Sequence, residues 1–213
     1  MGKARLLAVG AASLVVLLTG CGDDETATSS ADLKKTLPQK QALGVKAQRV
    51  FVSEGAGDFV GKGLVYSEAT KASTLIRALD DAGLRKGAGV EFGNLDSERS
   101  PVVFVVAAAF DEESGARRAR DTLHKEDLKQ PCAKGCVVTP EEYSVKGVPD
   151  SAAAHHAPIP GKPPAGLNKF EAYLLEFTVG DRLYRVTVNS GPGRVSSSEF
   201  DRLAREVYEK ASA

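Results

Sequence analysis

The feature that most constrains the fold is an uninterrupted apolar run at residues 101–110 (PVVFVVAAAF), near the middle of the chain. The run is too short to cross a bilayer as a helix, which needs about 20 residues. It has the length of a β-strand, and a strand without polar alternation is typical of one buried on both faces. The sequence therefore predicts a central strand of a sheet at this position.

Three further segments have the apolar periodicity of amphipathic helices. Residues 196–211 show it most clearly, and Ser196 with Glu199 three residues later forms a capping box at the start. Residues 66–82 follow the same pattern. Residues 111–128 have an inner face of mostly small side chains, so we expect this helix to pack closely on a sheet, and its His124 to be a surface residue.

Strand signals lie between these helices. Residues 170–179 and 182–189 flank Gly180-Asp181, a pair suited to a two-residue hairpin turn. In the second strand Arg185 alternates with apolar residues, which predicts that one face of the sheet is exposed to water. Residues 55–61 (GAGDFVG) are interpreted as a hairpin turn. Weaker strand candidates are residues 48–52, 59–65, 89–92 and 143–148.

Together these elements predict an α+β fold, an antiparallel sheet with about three helices packed mainly on one face. Two stretches, beginning at Gly83 and at Gly166, each contain a hairpin pattern followed by a helix pattern. An internal hairpin–helix duplication would explain this similarity, and so would the sequence preferences that all β-hairpins share.

The N-terminus has the organisation of an export signal. Lys3 and Arg5 are followed by an uncharged apolar stretch, residues 6–18, and then by Leu18-Thr19-Gly20-Cys21. This ending resembles the lipobox of bacterial lipoproteins. The resemblance implies that Cys21 carries fatty acyl chains such as palmitate and becomes the mature N-terminus, anchored at the outer face of the cytoplasmic membrane. An ordinary secretory signal with a chance cysteine is the alternative.

The domain organisation follows from this interpretation. We expect residues 1–20 to be the signal peptide and residues 21–32 to be a lipidated, disordered tether, because they are acidic and lack an apolar pattern. Residues 33–213 are expected to form a single extracytoplasmic α+β domain, long enough to bury a core.

Charge and motifs exclude several functions. Without residues 1–20 the chain has 26 basic and 28 acidic residues, which argues against nucleic acid as a partner. No Gly-x-Ser-x-Gly, His-Glu-x-x-His, Ser-x-x-Lys or P-loop sequence occurs. We therefore expect a protein without a cofactor that is not an enzyme, although a catalytic triad assembled in space would leave no such motif.

Cys132 and Cys136 are the other two cysteines of the mature chain. Outside the cytoplasm an even pair indicates a disulfide, which by loop entropy would stabilise the fold by roughly 2 kcal/mol. A redox-active pair and a metal-binding pair are the alternatives. The spacing has three intervening residues, whereas thioredoxin-type chemistry needs two.

His155 and His156 lie in a proline-flanked segment that we expect to be an exposed loop, residues 150–166. Imidazoles are good Zn²⁺ or Cu²⁺ ligands, and with Asp150 the pair predicts a weak alternative metal site. Neighbouring residues of an extended segment point in opposite directions, which argues against a shared metal. Loops on rigid scaffolds commonly carry binding, so Asp150, His155, His156, Lys162 and Arg185 are the candidate binding residues.

Beyond the lipobox, the order of elements resembles that of small lipoproteins of actinobacterial envelopes. The resemblance lies in residues 102–120 (VVFVVAAAFDEESGARRAR), the Val148-Pro149-Asp150 turn, the late hairpin and the end helix. Extracellular sensor domains of actinobacterial kinases and PsbP-like lipoproteins are similar at the level of fold. We expect a non-enzymatic binding or accessory protein whose partner is an envelope protein or small ligand. A metal-binding lipoprotein and a carrier of an apolar ligand are the alternatives.

Overall fold

The structure of the protein is a computed structural model that describes residues 29–63, 69–93, 100–128, 140–156 and 171–213. The predicted lipidation site Cys21, the cysteines Cys132 and Cys136, and Lys162 lie outside the described residues. None of the described helices is long and apolar enough to cross a lipid bilayer.

Helices and strands alternate along the described part of the chain. The helices are α1 (Ser30–Lys35), α2 (Gly55–Gly63), α3 (Ala69–Asp81), α4 (Glu113–Leu128) and α5 (Ser197–Ser212). The strands are β1 (Gln41–Ala42), β2 (Val45–Glu54), β3 (Leu84–Phe92), β4 (Val102–Phe110), β5 (Glu141–Tyr143), β6 (Ser151–His156), β7 (Glu171–Val179) and β8 (Arg182–Ser190).

The strands form one antiparallel sheet, curled into a half-barrel, in the order β1-β2-β3-β4-β8-β7-β6-β5. Strands β1 to β4 make one meander, and strands β5 to β8 make a second. The two meanders meet where β4 pairs with β8, with Val105 opposite Val186. The predicted hairpin at Gly180-Asp181 is confirmed, because Val179 pairs with Arg182 across this turn.

Strand β4 confirms the prediction of a central strand buried on both faces. Val103 and Val105 pack in one hydrophobic core, whereas Val106 and Ala108 pack in a second core on the other side of the sheet. All four side chains are at most 2% exposed. A strand that is apolar on both sides needs a covering layer on each face of the sheet.

The expectation of about three helices packed mainly on one face is therefore wrong. Helices α1 and α5 cover one face through side chains such as Leu33 and Phe200. Helices α2, α3 and α4 cover the opposite face through Phe59, Leu79 and Leu123. Helices on a single face would have left half of the apolar side chains of β4 in water, which costs about 25 cal/mol per Å² of apolar surface.

The internal duplication is not supported by the positions of the helices. The hairpin β3–β4 is followed by α4, and the hairpin β7–β8 is followed by α5, as the sequence pattern indicated. Because β4 and β8 are antiparallel, a two-fold axis that exchanges them is perpendicular to the sheet. Rotation about this axis does not interchange the two faces of the sheet. Because α4 and α5 lie on opposite faces, this rotation does not superimpose the two units.

Helix α5 begins as its sequence predicts. The Ser196 hydroxyl accepts a hydrogen bond from the Glu199 amide at 3.3 Å, and the Glu199 carboxylate accepts one from the Ser196 amide at 2.9 Å. The apolar stripe of the helix is buried, with Leu203 at 3% and Val207 at 0% exposure. Helices α3 and α4 also lie within the predicted segments, with ends that differ by a few residues.

Helix α2 corrects the interpretation of residues 55–61 as a turn and of residues 59–65 as a strand. Its buried residues have helical spacing: Ala56, Phe59, Val60 and Gly63. The neighbouring strand makes room for this helix with glycine, since a Cβ at Gly87 would lie 2.4 Å from Cδ2 of Phe59. Packing thus stabilises a helix in a glycine-rich sequence of low helix propensity.

Three further segments also differ from expectation. Residues 151–156, expected in an exposed loop, form β6 and pair with β7, with His155 opposite Tyr173. Of the candidate strand at residues 143–148, only Tyr143 lies in a strand, β5, and residues 146 and 147 form a turn. Helix α1 begins at Ser30, within the segment expected to form the tether, and is capped by the Ser29 hydroxyl.

Candidate functional site

A stripe of polar side chains runs along the side of helix α4 that faces strands β6, β7 and β8. The spacing along the chain is three, four and three residues, which places the side chains on one face of the helix. They are Arg117, Arg120, His124 and Asp127, and they meet Asp150, Glu176, Thr178 and Arg185 of the sheet side. We call these eight residues the α4 seam.

The inner end of the α4 seam is a buried ion cluster around Arg185. Its Nη1 lies 2.9 Å from Oδ2 of Asp127 and 3.5 Å from Oε1 of Glu176, and its Nη2 donates to Oδ1 of Asp127 at 3.1 Å. Asp127 is 1%, Glu176 0% and Arg185 7% exposed. Buried charges of this kind persist when they are paired, so the cluster fixes how α4 sits on the sheet.

His124 connects this buried cluster to solvent. Its Nδ1 is 3.4 Å from Oε2 of Glu176, and its Nε2 is 3.8 Å from Oε2 of Glu142. The Glu176 carboxylate is the main cause that raises the pKa of His124, while burial acts in the opposite direction. The expectation of a surface histidine is wrong, because the side chain is 13% exposed, whereas Glu142 is 65% exposed.

The ion cluster holds more acid than base. Two carboxyl groups, Asp127 and Glu176, share the guanidinium of Arg185, so full ionisation would leave an excess buried negative charge. Burial raises the pKa of Asp127 from 3.8 to about 7, and Arg185 opposes the rise. A proton on Asp127 or on His124 balances the charge, so the inner end of the seam takes up a proton near neutral pH.

The outer end of the α4 seam is organised by Asp150. This residue has a positive φ of 49°, and its carboxylate forms an ion pair with Arg120, approaches Nε of Arg117 at 3.5 Å and accepts from the Thr178 hydroxyl at 2.8 Å. The pairing with Arg120 is the main cause that lowers the pKa of Asp150. The start of β6 is thereby fixed to α4.

The candidate binding residues from the sequence are distributed over both faces of the sheet. Asp150 and Arg185 occupy opposite ends of the α4 seam, and the predicted water-exposed position of Arg185 is wrong because α4 covers it. His155 packs in the other direction, stacked on Tyr173 with ring centroids 4.4 Å apart, and its Nε2 lies 2.8 Å from Oε1 of Glu171. His156 is the next strand position and pairs with Ala172.

The charged side chains of the α4 seam form ion pairs with one another. Within the described ranges, no group of three or more His, Cys, Asp or Glu side chains has an arrangement that could hold a metal ion. The small residues that suggested an apolar-ligand carrier, Ala116 and Ala119, are at most 1% exposed and pack in the core with α3 and β8.

Comparison with known proteins relates the fold to one from mycobacteria. No family model and no curated sequence matches the chain. The chain is similar to the extracellular domain of PknH from Mycobacterium tuberculosis, with a TM-score of 0.55 and 11% identity, over 88% of this chain and 98% of that one. This similarity shows a shared fold.

A second solved structure is an uncharacterized protein from Mycobacterium smegmatis, the Rv0999 ortholog. Its TM-score is 0.42 and its identity 12%, with 86% of this chain and 95% of that chain covered.

The residues that sequence reasoning missed are His124, Asp127 and Glu176. Asp127 and His124 lie on a helix that is rich in charged residues, so neither stands out from the solvent-facing positions of the same helix. Glu176 gives a clearer signal, because it interrupts the apolar strand β7 (EAYLLEFTV) at a position directly opposite Arg185 of β8. A hairpin with opposite charges on paired positions predicts a cross-strand ion pair.

Proposed function

We propose that this chain is a membrane-anchored, extracytoplasmic lipoprotein that acts as a non-enzymatic binding or accessory protein of the cell envelope. The observation that carries the proposal is the similarity to an extracellular domain over 88% of this chain and 98% of that one. The lipobox sequence Leu18-Thr19-Gly20-Cys21 supports the same location independently of the fold. Two acyl chains suffice for stable anchoring, whereas one holds weakly.

The chemistry of the α4 seam favours binding over catalysis. Arg120, Asp127 and Arg185 are each engaged by an oppositely charged side chain of the protein. A general acid or base has to reach the proton of a bound substrate, and these groups are directed at one another. We infer that the seam holds α4 in place, and that recognition occurs elsewhere.

The segment between β6 and β7 is the proposed recognition element. His156, at the end of β6, pairs with Ala172 near the start of β7, so the sheet holds these two residues, which flank the segment, at strand spacing. The segment carries Lys162 and several prolines, which lower the entropy lost on binding. Loops held by a rigid scaffold commonly carry function.

Replacement of Cys21 with Ser tests the location. The wild-type protein should incorporate labelled palmitate and fractionate with membranes, and the variant should do neither. Protease added to intact cells should digest the wild-type domain if it lies outside the cytoplasm. An unlabelled wild type, or a variant that retains the label, would show that the lipoprotein assignment is incorrect.

Shortening of the loop tests its role in binding. Replacing residues 159–165 by Gly-Ser reduces the connection from about 14 to about 9 residues, which changes the free energy of unfolding by only about 0.4 kcal/mol. The melting temperature should therefore be retained, while capture of the envelope component that copurifies with the wild type should weaken. The matched control replaces residues 94–99, within the connection between β3 and β4, by Gly-Ser. Equal capture by both variants would move the binding site away from this loop.

A further inference from the structure

One stretch near the start of the described part of the chain, directly after Asp32, has a one-sided charge. Residues 33–49 contain five basic residues and no acidic residue. Four of the five are partly or fully exposed along α1 and the β1–β2 hairpin, and the fifth, Arg49, is exposed on β2. We call this set the basic edge: Lys34, Lys35, Lys40, Lys46 and Arg49.

Backbone contacts make the basic edge one continuous surface. The Ala47 amide donates to the carbonyl oxygen of Lys40 at 3.0 Å, and Gln41 pairs with Lys46 in the β1–β2 ladder. The side-chain amide of Gln39 donates to the carbonyl oxygen of Lys34 and so ties helix α1 to the same hairpin. Lys40, Lys46 and Arg49 therefore lie on or next to the hairpin at one edge of the sheet, and α1 packs nearby against β2 and β3.

The cations of the basic edge have few acidic partners among the described residues. Lys35 pairs with Asp32 at 2.9 Å in an exposed contact. Lys40 and Lys46 have no carboxylate within 4 Å in the described part of the chain, and Arg49 lies over the Phe51 ring at 5.3 Å. By contrast, Lys62, Arg85, Arg117, Arg120 and Arg185 each form an ion pair.

Two exposed apolar side chains lie close to Arg49 in the sequence. Val50 and Val52 on β2 are 45% and 40% exposed, and they are the large hydrophobic residues of the described chain with the greatest exposure. Both follow Arg49 on β2, but they alternate with Phe51, on which Arg49 stacks, and so point to the opposite face of the sheet from Arg49. A strand with cations on one face and exposed aliphatic side chains on the other matches a lipid interface that it meets edge-on, where ammonium and guanidinium groups meet anionic headgroups and apolar side chains enter the headgroup boundary.

We propose that the basic edge is a membrane-contact surface that rests on the anionic headgroups of the bilayer. Its position in the chain supports this occupant, since Cys21 precedes Ser29, the first described residue, by eight residues. Eight residues span at most about 28 Å, so an anchor at Cys21 keeps this edge close to the bilayer. The proposal deepens the proposed function by specifying how the anchored domain is oriented.

Vesicle binding of the unlipidated mature chain, Cys21→Ser, tests the surface independently of lipidation. The mature chain carries slightly more acid than base, including the run Asp23-Asp24-Glu25, so its net charge does not attract it to anionic lipid. We expect cosedimentation with vesicles that contain phosphatidylglycerol, little with pure phosphatidylcholine, and release by high salt. Equal binding to both vesicle types, or to neither, would overturn the proposal.

Neutralising cations of the basic edge tests whether these residues make the contact with the vesicles. In the same background, Lys40→Gln, Lys46→Gln and Arg49→Gln together should weaken binding to anionic vesicles by roughly 100-fold, since each cation near an anionic surface contributes about fivefold. None of these side chains is buried, so the variant should keep the melting temperature of the parent.

A matched control removes the same charge from the opposite part of the protein. Arg118→Gln, Lys125→Gln and Lys146→Gln lie on α4 and after β5, and all three positions are exposed. This control should bind anionic vesicles as the parent does, within about twofold. A loss equal to that of the basic-edge variant would show an effect of net charge and refute a specific contact surface. A failure of lipidation in cells would leave the vesicle result unchanged, so the two proposals are tested separately.

Discussion

Replacing Asp127 with Asn should remove much of the pH dependence of the free energy of unfolding between about pH 5 and about pH 7. Asp127 is 1% exposed, and burial raises its pKa from 3.8 to about 7. The unfolded chain ionises this carboxyl at its ordinary pKa. Between these two values, folding therefore takes up one proton at Asp127, and the stability of the protein depends on pH.

The magnitude follows from the difference between the two states. A group whose pKa is higher in the folded state contributes stability that is complete below the unfolded pKa and is lost as pH rises through the folded pKa. One proton changes the free energy of unfolding by about 1.4 kcal/mol per pH unit. From about pH 5 to about pH 7 the wild type should lose about 2–3 kcal/mol, or roughly 5–10 °C in Tm.

The variant retains the hydrogen bond with Arg185 but no longer has a titratable carboxyl group at this position. An Asn carbonyl oxygen still accepts a hydrogen bond from Arg185, but the amide binds no proton in this range. Thermal unfolding followed by circular dichroism across this pH interval should give a flatter curve for Asp127→Asn than for wild type. The stability of the variant should still fall with pH at the upper end of this interval. His124 also has a raised pKa, and it loses its contribution to stability as pH rises above the ordinary pKa of histidine.

Asp80→Asn is the matched control, since Asp80 is an exposed aspartate on α3. It should keep the wild-type slope. Carboxyl groups with lowered pKa, such as Asp150, lose their contribution only as pH falls through and below the ordinary carboxyl range, so they do not affect this interval. An Asp127→Asn curve as steep as that of wild type would refute proton uptake at the buried cluster.

Three further predictions concern packing and the cysteines. Leu203→Ala should lower the free energy of unfolding by roughly 2–5 kcal/mol in urea titrations, because Leu203 is 3% exposed; an unchanged midpoint would contradict its place in the core. Gly115→Ala should cost about 1–3 kcal/mol in the same assay, since a Cβ there would lie 2.1 Å from the carbonyl oxygen of Ala82; a neutral effect would refute the close approach of α4 to the end of α3. Cys132 and Cys136 should show no free thiols in denatured, unreduced protein, and two titratable thiols would exclude the disulfide.

The central strand and the C-terminal helix could be predicted because their signals are local and strong. The run that forms β4 has no polar residue after Pro101, and α5 has both a capping box and a regular apolar stripe. The distribution of helices could not be predicted as directly. The burial of β4 on both faces already required two covering layers, but the helix α2 that completes one layer has four glycines and a weak sequence signal.

The charged seam was less accessible to sequence reasoning. Arg185 alternates with apolar residues, as a residue on a water-exposed face of a strand does. This pattern therefore does not show whether the face of the sheet that carries Arg185 is exposed to water or covered by a helix. The distinction depends on Asp127, which lies 58 residues away in the chain and reaches Arg185 only in the folded state. Strand β6 was missed for another reason, because its alanines have low strand propensity and form a strand through pairing with β7.

The division of the sheet into two meanders has a consequence for the order of folding. Each neighbour pair within a meander joins strands that are consecutive in the chain, whereas β4 and β8 bring together residues as distant as Val102 and Asn189. Loop-closure entropy makes such distant pairing slow compared with local hairpins. A chain that emerges N-terminus first can therefore assemble β1 to β4 early, while the apolar edge of β4 stays open until β8 has emerged. That interval is when the protein is most exposed to aggregation and most dependent on chaperones.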